Sequence, residues 1–441
     1  MTPSTMRHLA RYFAGVERGQ SWCWQGHVLE SLGQTIESAG PVASVGECCV
    51  IRDRQQQTHL AEVIGFRGNH LLSMPIDTSE GVRFGDTVSA LGVRPEIAVG
   101  PSLMGRVLNG LGEPIDEGGP LATSENQPLD GRLRSPMDRT SIRSALGTGI
   151  RAVDTLLTVG RGQRVGIFGG SGVGKSTLIG MMTRNTEADV TVVGLVGERG
   201  REVGEFLEES LGREGRARSV VVVSTSDQSP LLRLRAALAA TTIAESFAAE
   251  GKDVLLVLDS LTRFAMAARE IGLAAGEPPT NKGYTPSVFT RLARLIERAG
   301  QFRVGSITAF YTVLMEGDDQ QDPLVDAVRA LLDGHIVLSR TLAAEGWYPP
   351  VEILDSISRL MPAVSLPDHR EHAALLRRLM AVYARSEDLV RIGAYKPGAD
   401  PELDRAIHAR ESLRAFLTQS TDQRPHLADS VSQLAELAAE I

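Results

Sequence analysis

The sequence predicts an α/β protein in which a parallel-sheet core lies between a small β-domain and a group of helices. Three observations support this prediction. Short apolar segments separated by glycine run from about residue 24 to 92. Longer apolar runs alternate with helical patterns from about residue 95 to 362, and after residue 362 only helical patterns remain.

Composition narrows the class of protein. At about 100–200 residues per domain, 441 residues suffice for several domains. The chain carries 46 basic and 54 acidic residues, a net charge of −8, which argues against coating by nucleic acid or anionic lipid. Cys23, Cys48 and Cys49 match neither a disulfide framework nor a metal-ligand spacing, so a reducing compartment is expected. Residues 1–15 do not resemble a secretory signal, and aliphatic runs such as Val254–Leu258 are too short to cross a bilayer, which predicts a cytoplasmic protein.

Residues 1–20 have the pattern of an amphipathic helix. Met6, Leu9, Phe13 and Val16 follow 3- and 4-residue spacings, with arginines elsewhere on the helical wheel. A helix of this length is not stable alone in water. The residues leave two interpretations open: a first helix packed on its own domain, or a segment that binds a partner.

Residues 21–94 are predicted to form a small β-barrel or sandwich. The predicted strands are short, closely spaced and separated by Gly, Asp and Asn: His27–Leu32, Cys48–Ile51, Leu60–Phe66, Leu71–Met74 and Thr87–Leu91. None of these strands is rich in aromatic residues, so a barrel that stacks nucleic-acid bases is disfavoured.

Residues 95–362 are predicted to form a parallel sheet covered by helices on both faces. The strand candidates are continuous runs of Val, Ile and Leu: Arg164–Phe168, Thr191–Val196, Ser219–Ser224, Val254–Leu258, Gly305–Tyr311 and His335–Leu338. Residues 363–441 are predicted to form a helical domain, with helices over Arg370–Ala384, Leu403–Leu417 and Leu427–Ile441.

One predicted strand leads directly into a glycine-rich loop. Arg164–Phe168 precedes Gly169-Gly-Ser-Gly-Val-Gly-Lys175-Ser176, and a helical pattern follows, which is the setting that the G-x-x-x-x-G-K-[ST] motif requires. The backbone N–H groups of such a loop surround a polyphosphate, Lys175 reaches the β- and γ-phosphates, and the Ser176 hydroxyl binds Mg²⁺. The expected ATP-binding residues are Gly169, Gly170, Ser171, Gly172, Val173, Gly174, Lys175, Ser176 and Thr177.

Two carboxylates follow other strands of the predicted sheet. Asp259 ends the run Val254–Leu258 and is the expected second ligand of Mg²⁺, because ligands of open α/β sheets bind at the carboxyl ends of the strands. Glu198 follows Thr191–Val196 and could polarise a water molecule that faces the γ-phosphate. Spacing alone favours that role no more than a solvated charged turn.

These segments together resemble the α/β subunits of rotary ATP synthases, and more closely the type III protein export ATPases. The resemblance rests on the barrel, the loop Gly169–Ser176 and several further motifs: Gly197-Glu-Arg-Gly-Arg-Glu-Val, Ser226-Asp-Gln-Ser-Pro-Leu-Leu-Arg, Asp259-Ser-Leu-Thr-Arg263, Gly276-Glu-Pro-Pro-Thr, Gly283-Tyr-Thr-Pro-Ser-Val-Phe, Tyr311-Thr-Val-Leu-Met-Glu-Gly-Asp-Asp, Leu332-Asp-Gly-His-Ile-Val-Leu-Ser-Arg340 and Ser356-Ile-Ser-Arg359. Gln320-Gln-Asp-Pro323 is similar to the flagellar branch of that family.

The resemblance implies a RecA-like P-loop core and a role for each of five further residues. Glu198 matches a catalytic glutamate, Arg199 and Arg263 match arginines near the γ-phosphate, and Tyr348 matches an aromatic residue on the adenine. Arg359 matches an arginine finger that acts on the nucleotide of a neighbouring subunit.

The resemblance also implies cofactors and partners. It implies a homo-hexamer that hydrolyses Mg-ATP and feeds unfolded substrates into a flagellar export gate at the cytoplasmic face of the inner membrane, with membrane association that is peripheral at most. The N-terminal helix would bind an export-stator regulatory protein, and the acidic loop Glu316–Asp319 would line a central pore and contact a stalk protein. Chaperones and export substrates would be further partners, and nucleic acid would not.

Three alternatives were weighed against this prediction. An injectisome secretion ATPase differs in pathway but not in chemistry. A non-catalytic nucleotide-binding ring subunit would generally lack the glutamate at Glu198, and a hexameric RNA translocase is opposed by the net charge of −8. The chain departs from the family pattern at Gly204, Asn281 and Glu352, and a glycine inside a helix costs up to about 1 kcal/mol.

Overall fold

We describe the protein from a computed structural model, which covers residues 24–123, 125–131, 135–315 and 322–441. The predicted N-terminal helix and the acidic loop Glu316–Asp319 lie outside these described residues. Contacts between residues divide the chain into two compact units. The first comprises the residues up to Pro95 together with Glu270–Pro278, and the second comprises Glu96–Arg269 and Pro279–Ile441.

The first unit contains a closed barrel of six antiparallel strands, in the order β1-β2-β5-β4-β3-β6. Alternate residues such as Val28, Ile36, Ile51 and Val63 point into its apolar core, as expected for strands with one buried face. The prediction missed the second strand, because only Ile36 in that segment is a large apolar residue. The barrel strands are β1 Gln25–Leu32, β2 Thr35–Ala39, β3 Cys48–Arg52, β4 Thr58–Arg67, β5 His70–Pro75 and β6 Thr87–Ala90.

The second unit is built on a nine-stranded sheet in which all six predicted strands are present. Its path is β17-β16-β10-β15-β13-β11-β12-β8, with β14 paired beside β15. The strands from β16 to β8 are parallel, whereas β17 and β14 are antiparallel to their neighbours. The strands are β8 Val107–Asn109, β10 Arg164–Gly169, β11 Val190–Glu198, β12 Ser219–Thr225, β13 Asp253–Asp259, β14 Gly300–Gln301, β15 Ser306–Leu314, β16 Gly334–Leu338 and β17 Val351–Ser358. A separate two-stranded sheet pairs β7 Glu96–Val99 with β9 Glu125–Pro128.

Helices cover this sheet and then close the chain, as predicted. Within the described residues they are α1 Arg151–Leu156, α2 Lys175–Asn185, α3 Gly200–Glu205, α4 Gly212–Ala217, α5 Pro230–Ala249, α6 Leu261–Ala274, α7 Pro286–Ile296, α8 Pro323–Leu331, α9 Arg340–Ala344, α10 Met361–Val364, α11 Pro367–Arg391, α12 Pro401–Leu417 and α13 Leu427–Glu440. A π-helical segment, Phe206–Leu211, joins α3 to α4. Three short 3₁₀ turns lie at Pro101–Leu103, Pro136–Asp138 and Asn281–Gly283.

One apolar core runs from the sheet into the C-terminal helices. Leu376 of α11, Leu413 of α12 and Leu434 of α13 belong to the same buried cluster as Ile167 of β10 and Val193 of β11. The C-terminal helices are therefore held by the same hydrophobic burial that holds the sheet together. Among the described residues, no helix combines the length and apolarity that crossing a membrane requires.

Candidate nucleotide-binding and catalytic site

The glycine-rich loop joins the buried strand β10 to the start of α2. β10 lies between β15 and β16, so the loop leaves the carboxyl edge of the sheet near its middle. Gly174 precedes α2 with a φ of +84°, a left-handed conformation that a residue with a Cβ rarely adopts. The side chain of Val173 is buried beneath the loop, while Ser171, Ser176 and Thr177 are exposed.

Lys175 and Asp259 meet above this edge. Lys175 Nζ lies 4.0 Å from Asp259 Oδ1, and both side chains are largely buried. Thr312 Oγ1 donates a hydrogen bond of 2.6 Å to the same carboxylate oxygen from the adjacent strand β15. Thr312 therefore orients Asp259, and sequence spacing gave no signal for it.

Glu198 reaches this group because β11 is irregular at its end. The pairing of β11 with β12 shifts between Val196 and Glu198, and Gly197 in the bulge has a φ of +71°. Burial raises the pKa of Glu198 to about 8; the Asp259 charge and a hydrogen bond with Glu202 add to this effect, while Lys175 and Arg263 oppose it. Glu198, Asp259, Lys175 and Arg263 thus share one electrostatic site.

The two arginines predicted near the γ-phosphate are placed differently. Arg263, in the first turn of α6, lies against Gly197, where a methyl group would sit 3.0 Å from Arg263 Cβ. Its Nε is buried and has no hydrogen-bond partner in the described part of the chain. Arg199 is 78 % exposed and pairs with Glu202 at 3.5 Å. Within a single chain, therefore, Arg263 lies in the site and Arg199 does not.

Tyr348 lies beside the glycine-rich loop. A methyl group on Gly174 would sit 3.7 Å from Tyr348 Cε1, and 48 % of this residue is exposed. Its carbonyl accepts a 2.8 Å hydrogen bond from the backbone N–H of Gln419, just after α12. The ring is therefore free to stack on a planar group bound at the loop.

Arg340 is a loop neighbour that the sequence prediction missed. It begins α9, and its guanidinium lies so close to Gly170 that a methyl group there would collide with it. The residue is exposed, and no ion pair holds it within the described residues. Arg340 is far from the loop in the sequence, so no local pattern predicted that the two are neighbours. It reaches the loop because strand β16, which precedes α9, lies beside β10.

Arg359 does not lie with these residues. Its Nη1 donates to the Leu332 carbonyl at 3.1 Å, at the amino-terminal edge of the sheet. The strand register shows this position. Ser358 of β17 pairs with Gly334 of β16, and Gly334 pairs with Val165, the second residue of β10. Gly169 lies four residues further along, or about 13 Å at 3.3 Å per residue, so Arg359 cannot reach the loop of its own chain.

The donor set at the carboxyl edge fits a magnesium ion. Ser176 offers a hydroxyl at the start of α2, and Asp259 offers a carboxylate, which are the oxygen ligands that Mg²⁺ prefers. Within the described residues no cluster of three or more His, Cys, Asp or Glu side chains could hold a metal by itself. Mg²⁺ commonly takes one or two protein ligands of this kind, with substrate phosphates and water as the others.

The glycine-rich loop between strand and helix, with Lys175 and Asp259 at the sheet edge, defines a P-loop nucleotide-binding protein with an α/β core. Two family models match the chain: the ATP synthase alpha/beta family nucleotide-binding domain over residues 149–358, and the T3SS EscN ATPase C-terminal domain over residues 366–436. The chain belongs to the type III export ATPases of the ATP synthase alpha/beta family, and it is an ATPase.

Individual relatives are similar over nearly their whole length. The flagellum-specific ATP synthase of Treponema pallidum (strain Nichols) is 50% identical, over 97% of this chain and 96% of the relative. The type 3 secretion system ATPase of Xanthomonas euvesicatoria is 48% identical, over 96% and 95%. The assembled ATPase EscN of the enteropathogenic E. coli type III secretion system superposes with a TM-score of 0.89 at 42% identity, covering 94% of this chain and 100% of that structure. EscN was also solved in complex with its central stalk EscO, and that structure matches with a TM-score of 0.86 at 42% identity over 94% and 100%.

Proposed function

We propose that this chain is the catalytic subunit of a homo-hexameric ring that hydrolyses Mg-ATP to energise flagellar type III protein export. The observation that carries the chemistry is the convergence of Lys175, Glu198, Asp259 and Arg263 above a P-loop. Support for the flagellar pathway comes from relatives: four proteins named flagellum-specific ATP synthase are 49–50% identical to this chain.

In the proposed reaction, ATP binds with its phosphates in the loop Gly169–Thr177 and its adenine against Tyr348. A water molecule attacks the γ-phosphorus as the bond to the ADP oxygen breaks, and Glu198 accepts the proton that the water loses. Lys175 and Arg263 offset the negative charge on the phosphoryl oxygens, and Arg359 of a neighbouring subunit completes this set. Arg199 is the remaining arginine proposed near the γ-phosphate.

Ser176 and Asp259 are the proposed protein ligands of Mg²⁺. When bound there, the ion supplies positive charge to the β- and γ-phosphate oxygens. Thr312 keeps the Asp259 carboxylate turned towards Lys175 through its hydrogen bond. The protein thus provides a fixed oxygen donor beside the lysine that binds the same phosphates.

The proposed partners follow from the resemblance and from the relatives. EscN is described with a central stalk, EscO, and we propose a corresponding stalk contact for the loop Glu316–Asp319. We propose that residues 1–20 bind an export-stator regulatory protein, and that the ring works at the cytoplasmic face of the export gate, where it receives chaperones and substrates. Loss of stator binding in a chain lacking residues 1–18, with an unchanged unfolding midpoint, tests the first of these contacts.

An injectisome secretion ATPase is the second candidate. The type 3 secretion system ATPase of Xanthomonas euvesicatoria is 48% identical to this chain, close to the value for the flagellar relatives. Both candidates share the chemistry of the site and differ in the export machine that the ring serves.

Deleting the gene in its own organism distinguishes the two. We expect the deletion to abolish export of the flagellar hook and filament proteins, and a plasmid copy to restore it. A Lys175→Ala copy, produced at the same level, should not restore export, because the cation on the phosphates is lost. Normal flagella combined with lost secretion of injectisome proteins would instead support the second candidate.

A further inference from the structure

A cleft that Trp347 lines does not include any residue of the P-loop. It has a volume of about 300 Å³ and is bounded by α9, β17, α11 and α12. Its walls are mostly apolar and include Leu342, Trp347, Leu354, Leu379, Met380 and Leu413. A concave apolar space of this size with a few convergent polar groups is typical of a small-molecule site.

The polar groups in the cleft are unevenly charged. Glu345, Glu352 and Glu387 line it, and Arg410 is its one cation. Arg410 is already engaged, because its guanidinium lies 3.5 Å from Glu387 Oε1 and 4.0 Å from the centre of the Tyr383 ring. Glu352 has no ion-pair partner among the described residues, whereas the Arg414 guanidinium donates a 3.0 Å hydrogen bond to the Glu345 carbonyl.

Glu352 is the most unusual of these carboxylates. It lies on β17 and is partly buried. Burial raises its pKa above the ordinary value, and the charges of Asp355 and Glu387 raise it further, while a hydrogen bond from the Leu354 backbone N–H opposes these effects. A partly buried carboxylate in negative surroundings is harder to ionise than a solvated one unless a cation compensates it.

We propose that this cleft binds a small amphipathic organic cation, whose apolar body packs on Trp347 and Leu379 and whose ammonium group pairs with Glu352. The charge balance selects a cation over an anion of the same shape. The apolar walls select an alkyl or aryl amine over a strongly hydrated inorganic ion. The site is separate from the P-loop, although Trp347 and Tyr348 are adjacent in the chain.

The test uses three probes that share one apolar body: n-octylammonium, n-octanol and octanoate, each below its aggregation concentration. Binding is measured by the fluorescence of Trp347 in a chain carrying Trp22→Phe and Trp24→Phe, which leaves Trp347 as the only tryptophan. No nucleotide is present, so the result does not depend on the proposed function. We expect saturable binding of octylammonium about tenfold tighter than octanol, with octanoate weakest.

Three variants localise the interaction. Glu352→Gln keeps the shape of the side chain and should reduce the preference for octylammonium over octanol to about twofold or less. Glu371→Gln, an exposed position elsewhere on α11, makes the same change in net charge and should retain the preference. Ala384→Phe adds a ring at the cleft wall and should weaken both the amine and the alcohol.

Equal affinities for octylammonium and octanol would overturn the proposal, as would a preference that survives Glu352→Gln. Absence of saturable binding to the unsubstituted cleft would overturn it as well. If Glu352→Gln unfolds the chain, two other measurements decide the outcome. The ratio of octylammonium to octanol affinity in the unsubstituted cleft tests the charge preference, and the loss of both affinities in Ala384→Phe tests whether the probes bind in this cleft.

Discussion

At the residue scale, Glu198 shows how one irregular strand end creates a reactive group. The bulge at Gly197 turns the carboxylate towards Asp259, and both burial and like charge disfavour its ionised form. A carboxylate held this way accepts a proton more readily than a solvated one. The same bulge brings the backbone so close to Arg263 that a side chain at position 197 would be strained.

Glu198→Gln should lower kcat by at least about 100-fold while Mg-ATP affinity changes little, because the amide fills the space but cannot accept the proton. Phosphate release and nucleotide binding measure the two effects. Glu205→Gln on α3, an exposed partner of Arg201, is the matched control and should keep normal turnover. Wild-type kcat in Glu198→Gln would remove this residue from the mechanism.

Gly204 and Gly212 form a contrasting pair of glycines. Gly204 lies inside α3, and a methyl group there meets no atom within 4 Å outside its own helix. Gly204→Ala should therefore raise the free energy of unfolding by about 0.5–1 kcal/mol. Gly212 also has open space, but its φ of +64° and ψ of −179° lie in a region that essentially only glycine adopts, so Gly212→Ala should lower the free energy of unfolding by about 1–3 kcal/mol. Thermal midpoints measure both, and equal shifts would contradict the conformational explanation.

Residue-level prediction from sequence worked where the signal was local. The loop Gly169–Ser176 follows one contiguous pattern, and Asp259 ends the continuous apolar run of a buried strand. Thr312 and Arg340 could not be found this way, because each reaches the site from a distant segment through strand pairing. The roles of the predicted residues stay predictions until the variants are measured.

At the element scale, the long apolar runs were predictable and the edges of the sheet were not. Central parallel strands are buried on both faces, so their sequences are continuous runs of Val, Ile and Leu. β17 is an antiparallel edge strand in which only Val351, Ile353 and Ser356 are buried, and its sequence, Val-Glu-Ile-Leu-Asp-Ser-Ile-Ser, has no such run. The π-helical segment Phe206–Leu211 had no sequence signal that we recognised.

The segment after α12 ties the C-terminal helices to the nucleotide site through Gln419. Its side-chain amide donates to the Gly149 carbonyl at 2.8 Å and accepts from the Arg151 N–H at 2.9 Å. Its backbone N–H holds the Tyr348 carbonyl. The position of the Tyr348 ring therefore depends on a buried amide in a different element.

Gln419→Ala should raise the KM for ATP several-fold with a smaller effect on kcat. The backbone N–H that holds the Tyr348 carbonyl is kept, but the segment that carries it loses its side-chain hydrogen bonds to Gly149 and Arg151, so Tyr348 is held less firmly while the phosphate site remains. The buried groups left unpaired should also cost about 1–3 kcal/mol of stability. Steady-state kinetics and thermal unfolding measure the two. Gln423→Ala is the control, since the hydrogen bonds of Gln423 in the described structure come from its backbone. An unchanged KM would show that Tyr348 is positioned without Gln419.

At the scale of the whole molecule, the sheet separates two parts of the proposed catalytic machinery. The P-loop lies at the carboxyl edge of β10, and Arg359 is fixed near its amino edge by Leu332. The length of the strand keeps them apart within one chain. The arrangement fits an arginine that serves a neighbouring copy.

Arg359→Ala should lower kcat by about 10³-fold or more while leaving ATP binding and assembly intact, because an arginine finger acts on the transition state. Mixing it with Lys175→Ala should restore part of the activity, since some interfaces then pair an intact loop with an intact arginine. Phosphate release and sedimentation of the mixed assemblies measure this. Mixed assemblies that form yet never exceed either parent would contradict a trans-acting Arg359, as would full turnover by an isolated monomer.

The position of Arg359 on the far edge of the sheet has a consequence for a cell that makes this protein. If the arginine acts only across a subunit boundary, a newly made chain binds nucleotide but consumes almost none of it. ATP hydrolysis would then begin only when two copies of the chain associate, so unassembled copies would consume very little ATP. A strain that overproduces the chain without its docking site should therefore show near-normal cellular ATP levels until the local concentration drives copies together.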